Sequence, residues 1–266
     1  MGMVSLTIDD MKQIELEIFD EIHRICIEHD LRYFMAYGTL LGAVRHGGFI
    51  PWDDDMDALM FRADYERFAE NFDQWRSSSR FALASYRHGG AFYPFLKVVD
   101  TTTAVLENFV RKDRDVGVWV DIFPYDEVDP NDGALFRKRA RANLMYNFIV
   151  ADPAVGSNAL AKLAKRIVCP LVGRSDPRKY AGIIDSLSRE ACPSGSSFVA
   201  DVVAQGDSAH VFPKTLFEPV EMPFEDRVYL APSGYREFLN IQYGDWETPP
   251  SSDDRAVHTC EAYRLC

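Results

Sequence analysis

Residues 37–61 read YGTLLGAVRHGGFIPWDDDMDALMF, and the reading of this stretch decides the fold. Gly38-Thr39 predicts a turn opening a short helix over 40–45. Gly47-Gly48 and Pro51 then break the backbone into a loop. The loop delivers Asp53, Asp54, Asp55 and Asp57 onto an expected strand over 56–61. Side chains alternate along a strand, so Asp55 and Asp57 are expected on one face. Two adjacent carboxylates beside the apolar run Ala58-Leu59-Met60-Phe61 repel each other, and a cation relieves that repulsion. Hard oxygen ligands favour Mg²⁺ or Mn²⁺, and Mg²⁺ leaves coordination positions open for phosphate oxygens. The expectation is a metal site for phosphate chemistry. The competing reading is a solvated acidic loop. The glycine and glutamate positions of an EF-hand calcium loop are absent.

Outward from this stretch, the chain reads in order. Thr7 and Asp10 form a capping box ahead of a helix to about residue 29, with Met11, Ile14, Ile18, Ile22 and Ile25 as its buried stripe. A strand over 31–36 leads into Gly38. A helix over 64–75 follows the acidic strand. Further strands are expected over 81–86, 92–99 and 103–106. Another β-rich run, 116–123, carries Asp121 and is stopped by Pro124. Three helices then fill a stretch rich in basic residues, over 131–150, 159–169 and 176–191. Short strands return around 198–203 and 220–230. A helix spans 235–243, and the polar tail from Gly244 ends in no predicted element. The domain reading is a core over 1–129, a helical insertion over 130–195 and a return to the core over 196–266.

Composition narrows the function classes. With 266 residues, 47% hydrophobic content and 13% aromatic content, the chain can bury a large core. A net charge of −12 argues against general nucleic-acid binding. No apolar run is long enough to span a membrane, and residues 1–13 lack an apolar signal core. The five cysteines show no CxxC spacing, which suits reduced thiols in a cytoplasmic protein.

A glycine-plus-hydroxyl turn, an Asp-x-Asp strand and a third strand aspartate are the arrangement of the nucleotidyltransferase fold. Backbone N–H groups at a helix start cradle phosphate, and Thr39 adds a hydroxyl. Asp55 and Asp57 hold metal, and Asp121 is the candidate third carboxylate of a two-ion site. Its alternative is a structural acid satisfied by an arginine or by backbone. Arg45 and Lys97 are the candidate phosphate clamps, one a planar fork and the other a point charge. Asp53 is a candidate ligand or orienting group, and His46 a candidate phosphate donor. His258 is a candidate that folds back from the tail. Among the aromatics, Tyr37, Trp52, Phe92, Tyr93, Trp119, Tyr125 and Trp246 are available to a cationic alcohol.

The string GTLLGAVRHGGFIPWDDDMD resembles the LicD family of phosphocholine transferases, related to fukutin-type phosphotransferases. Phe95-Leu96-Lys97, Val120-Asp121-Ile122-Phe123-Pro124, Tyr243-Gly244-Asp245-Trp246, Pro249-Pro250 and His258 follow in the same order. Thr39 stands where the general nucleotidyltransferase pattern has Ser. The resemblance implies an α+β fold, a nucleotidyltransferase-like mixed sheet core with flanking helices and an inserted helical lobe. It also implies transfer of a phospho-alcohol from a CDP-alcohol donor to a glycan or glycolipid acceptor, with Mg²⁺ or Mn²⁺ on Asp55, Asp57 and Asp121 and release of CMP. The alternatives are nucleotidyl transfer from an NTP and a nonenzymatic binding module. Because such acceptors are lipid-linked, the basic amphipathic helix over 159–169 is a candidate peripheral membrane contact at the inner face of the plasma membrane. Its alternative is a helix whose apolar face packs into the protein.

Overall fold

The computed structural model describes residues 2–107, 116–151, 169, 171, 175–190, 195–251 and 260–265. The expected membrane-contact helix lies outside them, except for Cys169, which is buried. His258 and residues 108–115 also lie outside.

The first helix forms as its sequence predicts. The Thr7 hydroxyl accepts the Asp10 N–H at 3.1 Å, and Asp10 Oδ2 accepts the Thr7 N–H at 2.9 Å, satisfying two otherwise orphaned donors at the start of α1 (Ile8–Glu28). Met11, Ile14, Ile18, Ile22 and Ile25 are all buried, and α1 contacts strands β5 and β7 of the main sheet introduced below. Strand β1 (Met3–Ser5) precedes it.

The main sheet is mixed. Its strands are β2 (Tyr33–Met35), β3 (Asp57–Phe61), β4 (Phe81–Ala84), β5 (Leu96–Asp100) and β7 (Trp119–Glu127), in the spatial order β2-β3-β7-β5-β4. Only β3 and β7 run parallel; the other neighbours in this order are antiparallel. Between the parallel pair the chain makes α3 (Arg62–Trp75), which buries Tyr65, Phe68 and Phe72. Strands β8 (Phe198–Ala200) and β9 (Val211–Pro213) extend the sheet from the end of β7. A separate three-stranded sheet joins β1, β6 (Thr103–Glu107) and β12 (Cys260–Leu265). The architecture is α+β.

Pro124 does not stop β7, which runs on to Glu127. Strand β5 pairs with β7 only up to Ile122. Between Ile122 and Asp126, where β8 begins to pair, that flank is unpaired, and a residue without an N–H is tolerated there. The tail also departs from expectation. Its strand β12 pairs with β1 on one side and β6 on the other.

Helices α4 (Gly133–Val150) and α5 (Pro177–Glu190) stand close to their expected bounds and pack on each other. They share a buried cluster with β4 and β5 through Tyr146, Ala181, Ile184 and Val99. An ionic network clamps α5 to the core. Arg62 donates to Asp126 at 2.6 and 2.8 Å and to Asp185 at 2.9 Å, and Ser188 also donates to Asp126.

The hairpin β10 (Pro219–Phe224) and β11 (Arg227–Pro232) anchors the glycine loop that precedes the aspartates. Glu225 accepts the Phe49 N–H at 3.0 Å, and its own N–H reaches Gly47 O at 2.8 Å. Helix α2 (Tyr37–His46) turns back tightly against this loop. A side chain at Gly42 would overlap the Gly48 carbonyl, so glycine is required at position 42. Helix α6 (Tyr235–Tyr243) packs against α2.

Candidate active site

Sheet register places three charged side chains in one row. Asp57 on β3 is opposite Asp121 on β7, and Asp121 is opposite Lys97 on β5. Opposed residues on neighbouring strands project to the same face, so the row follows from backbone pairing alone. All three are buried. The Lys97 ammonium donates to Asp121 Oδ1 at 2.8 Å and Oδ2 at 3.1 Å. It also lies over Trp119 at 4.0 Å and Tyr93 at 4.5 Å from the ring centroids. The Thr39 hydroxyl oxygen accepts the Asp57 N–H at 2.7 Å, tying the first turn of α2 to the start of β3.

Strand β3 begins at Asp57, so Asp55 lies in the loop before it and not on the strand. Its charge nevertheless reaches both strand carboxyls. Burial pushes Asp57 well above the usual carboxylate range, and Asp55, Asp121 and Asp53 push it further, against the pull of Lys97. Burial likewise raises Asp121; Lys97 opposes this, while Asp55 adds to it. Two buried carboxyls that resist ionisation beside each other are a site where a cation gains most.

Beside this row opens a cleft of about 570 Å³. Gly38, Arg45, Trp52, Asp53 and Asp55 line one part, and Tyr243, Asp245 and Trp246 another. A Cβ at position 38 would come within 2.7 Å of Asp53 Oδ2, so glycine lets the start of α2 approach that carboxylate. Arg45 donates to Trp246 O at 3.2 Å and to His46 Nε2 at 3.1 Å. His46 therefore accepts through Nε2. Burial first and then Arg45 lower its pKa.

Of the residues singled out from sequence, Gly38, Arg45, Asp53 and Asp55 meet in the cleft. Thr39, Asp57, Asp121 and Lys97 form the buried row beside it, and His46 sits against Arg45. Lys97 lies on Asp121 and its aromatic surround, with 3% of its surface exposed.

Two residues escaped the sequence reading, and a third, Tyr243, stood there only within a motif. Glu15 on α1 is 2% exposed, and its carboxyl is raised by burial and by the charges of Asp55 and Asp54. Its signal was positional, since 15 follows Met11 by four and precedes Ile18 by three on the buried face. Tyr243 has its phenol pKa raised by burial and by Asp57, Asp53 and Asp55, which puts its hydroxyl in the field of the acidic group. Asp201 is buried and accepts the Tyr37 hydroxyl at 2.6 Å. No local pattern in the sequence marks that pairing.

Among the described residues, no three His, Cys, Asp or Glu side chains stand ready-clustered for a metal ion. Both Asp121 oxygens face Lys97. By donor chemistry the group fits a hard divalent ion. All its donors are carboxylate oxygens, two are buried with raised proton affinity, and open volume lies alongside.

The LicD/FKTN/FKRP nucleotidyltransferase-domain family model matches residues 30–148, which contain α2, the acidic loop, Lys97 and Asp121. Over this segment the chain resembles the LicD family. It is 29% identical over 277 aligned residues to the lipopolysaccharide cholinephosphotransferase LicD of Haemophilus influenzae, covering 99% of this chain and 100% of that protein. Shorter similarities join it to uncharacterized proteins of Rickettsia typhi (34% identity, 26% of this chain, 23% of that protein) and Rickettsia prowazekii (40% identity, 18% of each chain).

Proposed function

We propose that this protein is a metal-dependent phosphotransferase. It moves phosphocholine or a similar phospho-alcohol from a CDP-linked donor to a sugar hydroxyl of a cell-surface glycan precursor, and it releases CMP. The observation that carries this reading is the acidity of the site. Asp53, Asp55 and Asp245 line the cleft, with Asp57 and Asp121 buried beside it. Such a field repels a diphosphate unless cations intervene. The end-to-end similarity to a lipopolysaccharide cholinephosphotransferase supports the same chemistry and favours a lipopolysaccharide-type acceptor. The family model's nucleotidyltransferase description supports reading the sheet and α2 as a nucleotidyltransferase-like core.

Asp55, Asp57 and Asp121 would hold Mg²⁺ or Mn²⁺, which would supply charge neutralisation on the donor diphosphate and on departing CMP. The N–H groups at the start of α2 and the Arg45 guanidinium bind the diphosphate. Trp52 and Trp246 form apolar wall around the donor. The acceptor oxygen attacks the phosphorus that bears the alcohol, the bond to CMP breaks, and the acceptor proton passes to Asp121. Lys97 balances the Asp121 charge before the donor arrives.

The family model's description favours one second reading, nucleotidyl transfer from an NTP. Product analysis separates the two. Incubation with CDP-choline, lipopolysaccharide and Mn²⁺ should release CMP with incorporation of choline. Release of pyrophosphate from an NTP, without turnover of any CDP-alcohol, would replace the proposal by nucleotidylation.

A further inference from the structure

We infer that Tyr37 and Asp201 are positioning residues that hold the start of α2 in its phosphate-facing conformation. The inference rests on the proposed role of that helix start as the donor cradle.

Tyr37 has φ = 42°, in the left-handed region that a bulky residue rarely adopts. It is the first residue of α2, and the preceding Ala36 offers no side-chain cap. Left to local preference, the peptide would relax to negative φ and turn the Gly38 and Thr39 N–H groups away. Two attachments oppose this. Ala36 N–H donates to Asp57 O at 3.0 Å, fixing the entry to the turn on β3. The Tyr37 ring reaches inward, packs edge-on to Phe123, and its hydroxyl donates to Asp201 Oδ2 at 2.6 Å. The Tyr125 hydroxyl donates to the Tyr37 hydroxyl oxygen at 3.4 Å.

Asp201 is itself held. Its Oδ1 accepts Ala204 N–H at 2.7 Å, and its carbonyl accepts Gly206 N–H at 2.9 Å. The buried Arg139 of α4 donates to the carbonyls of Val202 and Val203 at 2.9 Å and of Ala204 at 2.5 Å. A continuous set of buried hydrogen bonds thus runs from α4 to the first residue of the cradle. Neither Tyr37 nor Asp201 is among the residues lining the cleft.

Hydrogen exchange on the full chain tests this without reference to activity. Tyr37→Phe and Asp201→Leu should each speed exchange about tenfold or more in peptides covering 36–46, with α3 and β7 still protected. Asp201→Asn should stay near wild type, since an amide keeps a hydrogen bond to Tyr37 with its direction reversed. If CDP-choline is turned over, Tyr37→Phe should raise its KM about fivefold or more while kcat changes less. Unchanged exchange at 36–46, or loss of protection throughout the chain, would overturn the inference. Absence of turnover by wild type, with exchange altered as expected, would instead overturn the proposed function alone.

Discussion

The Lys97 ammonium lies 2.8 Å and 3.1 Å from the two carboxylate oxygens of Asp121, and both side chains are buried. Removing one partner of such a pair leaves an uncompensated buried charge, which costs about 3–5 kcal/mol. Lys97→Met should therefore lower the thermal midpoint substantially. Millimolar Mn²⁺ should restore more of that loss in the variant than it adds to wild type, because the ion replaces the missing cation. Calorimetric melts with and without Mn²⁺ check this, and Asp121→Asn in the Lys97→Met background should recover stability without the ion.

Arg62 makes a second prediction. It bridges Asp126 of β7 and Asp185 of α5 and also reaches Glu66. Arg62→Met removes the guanidinium from two nearly inaccessible carboxylates, leaving Ser188 on Asp126 and Tyr86 and Arg189 on Asp185, and urea unfolding should show a loss of about 1–3 kcal/mol. The double change Asp126→Asn, Asp185→Asn in the Arg62→Met background should be less destabilised than Arg62→Met alone.

Asp201 links stability to pH. Burial raises its carboxyl to about 6, above an unfolded value near 3.9. Its stabilising contribution is thus fully present below about pH 4 and is lost as pH rises through about 6. Relative to wild type, Asp201→Asn should gain roughly 3 kcal/mol between pH 4 and pH 7. Urea midpoints measured for both proteins across that range check the sign. A difference that does not vary with pH would contradict it.

Gly38→Ala separates stability from binding. Helix propensity favours alanine by up to about 1 kcal/mol. The added methyl would press on Asp53 at 2.7 Å and displace the cleft wall. The variant should melt close to wild type yet bind CDP-choline about tenfold more weakly, a loss of about 1.4 kcal/mol. Titration calorimetry on the folded variant measures it.

Much of the fold was legible because its signals are local. The Thr7–Asp10 capping box and the apolar stripe of α1 need no distant partner. The same holds for α3, whose Tyr65, Phe68 and Phe72 repeat at helical spacing. What escaped was non-local. The strand at 260–265 exists through pairing with β1 and β6, 153 or more residues upstream. Pro124 reads as a stop unless one knows that β5 ends its pairing at Ile122. In the site, the sequence reading grouped Asp57 with Asp121 as metal ligands and set Lys97 apart as a phosphate clamp, but only sheet register puts the three in one row. The placement of Asp55 on a strand failed because alternation was extended two residues before β3 begins. Glu15, Tyr243 and Asp201 come from α1, α6 and the turn after β8. No motif in residues 37–61 points to them.

On the proposed function, Asp57 and its neighbours bind a CDP-alcohol only together with a divalent ion. Titration calorimetry of CDP-choline into the full chain tests it most directly, with Mn²⁺, with EDTA, and with Asp57→Asn in place of wild type. Binding is expected with Mn²⁺, none detectable with EDTA, and none in the folded variant. Equal binding with and without the ion, or undiminished binding by Asp57→Asn, would contradict it.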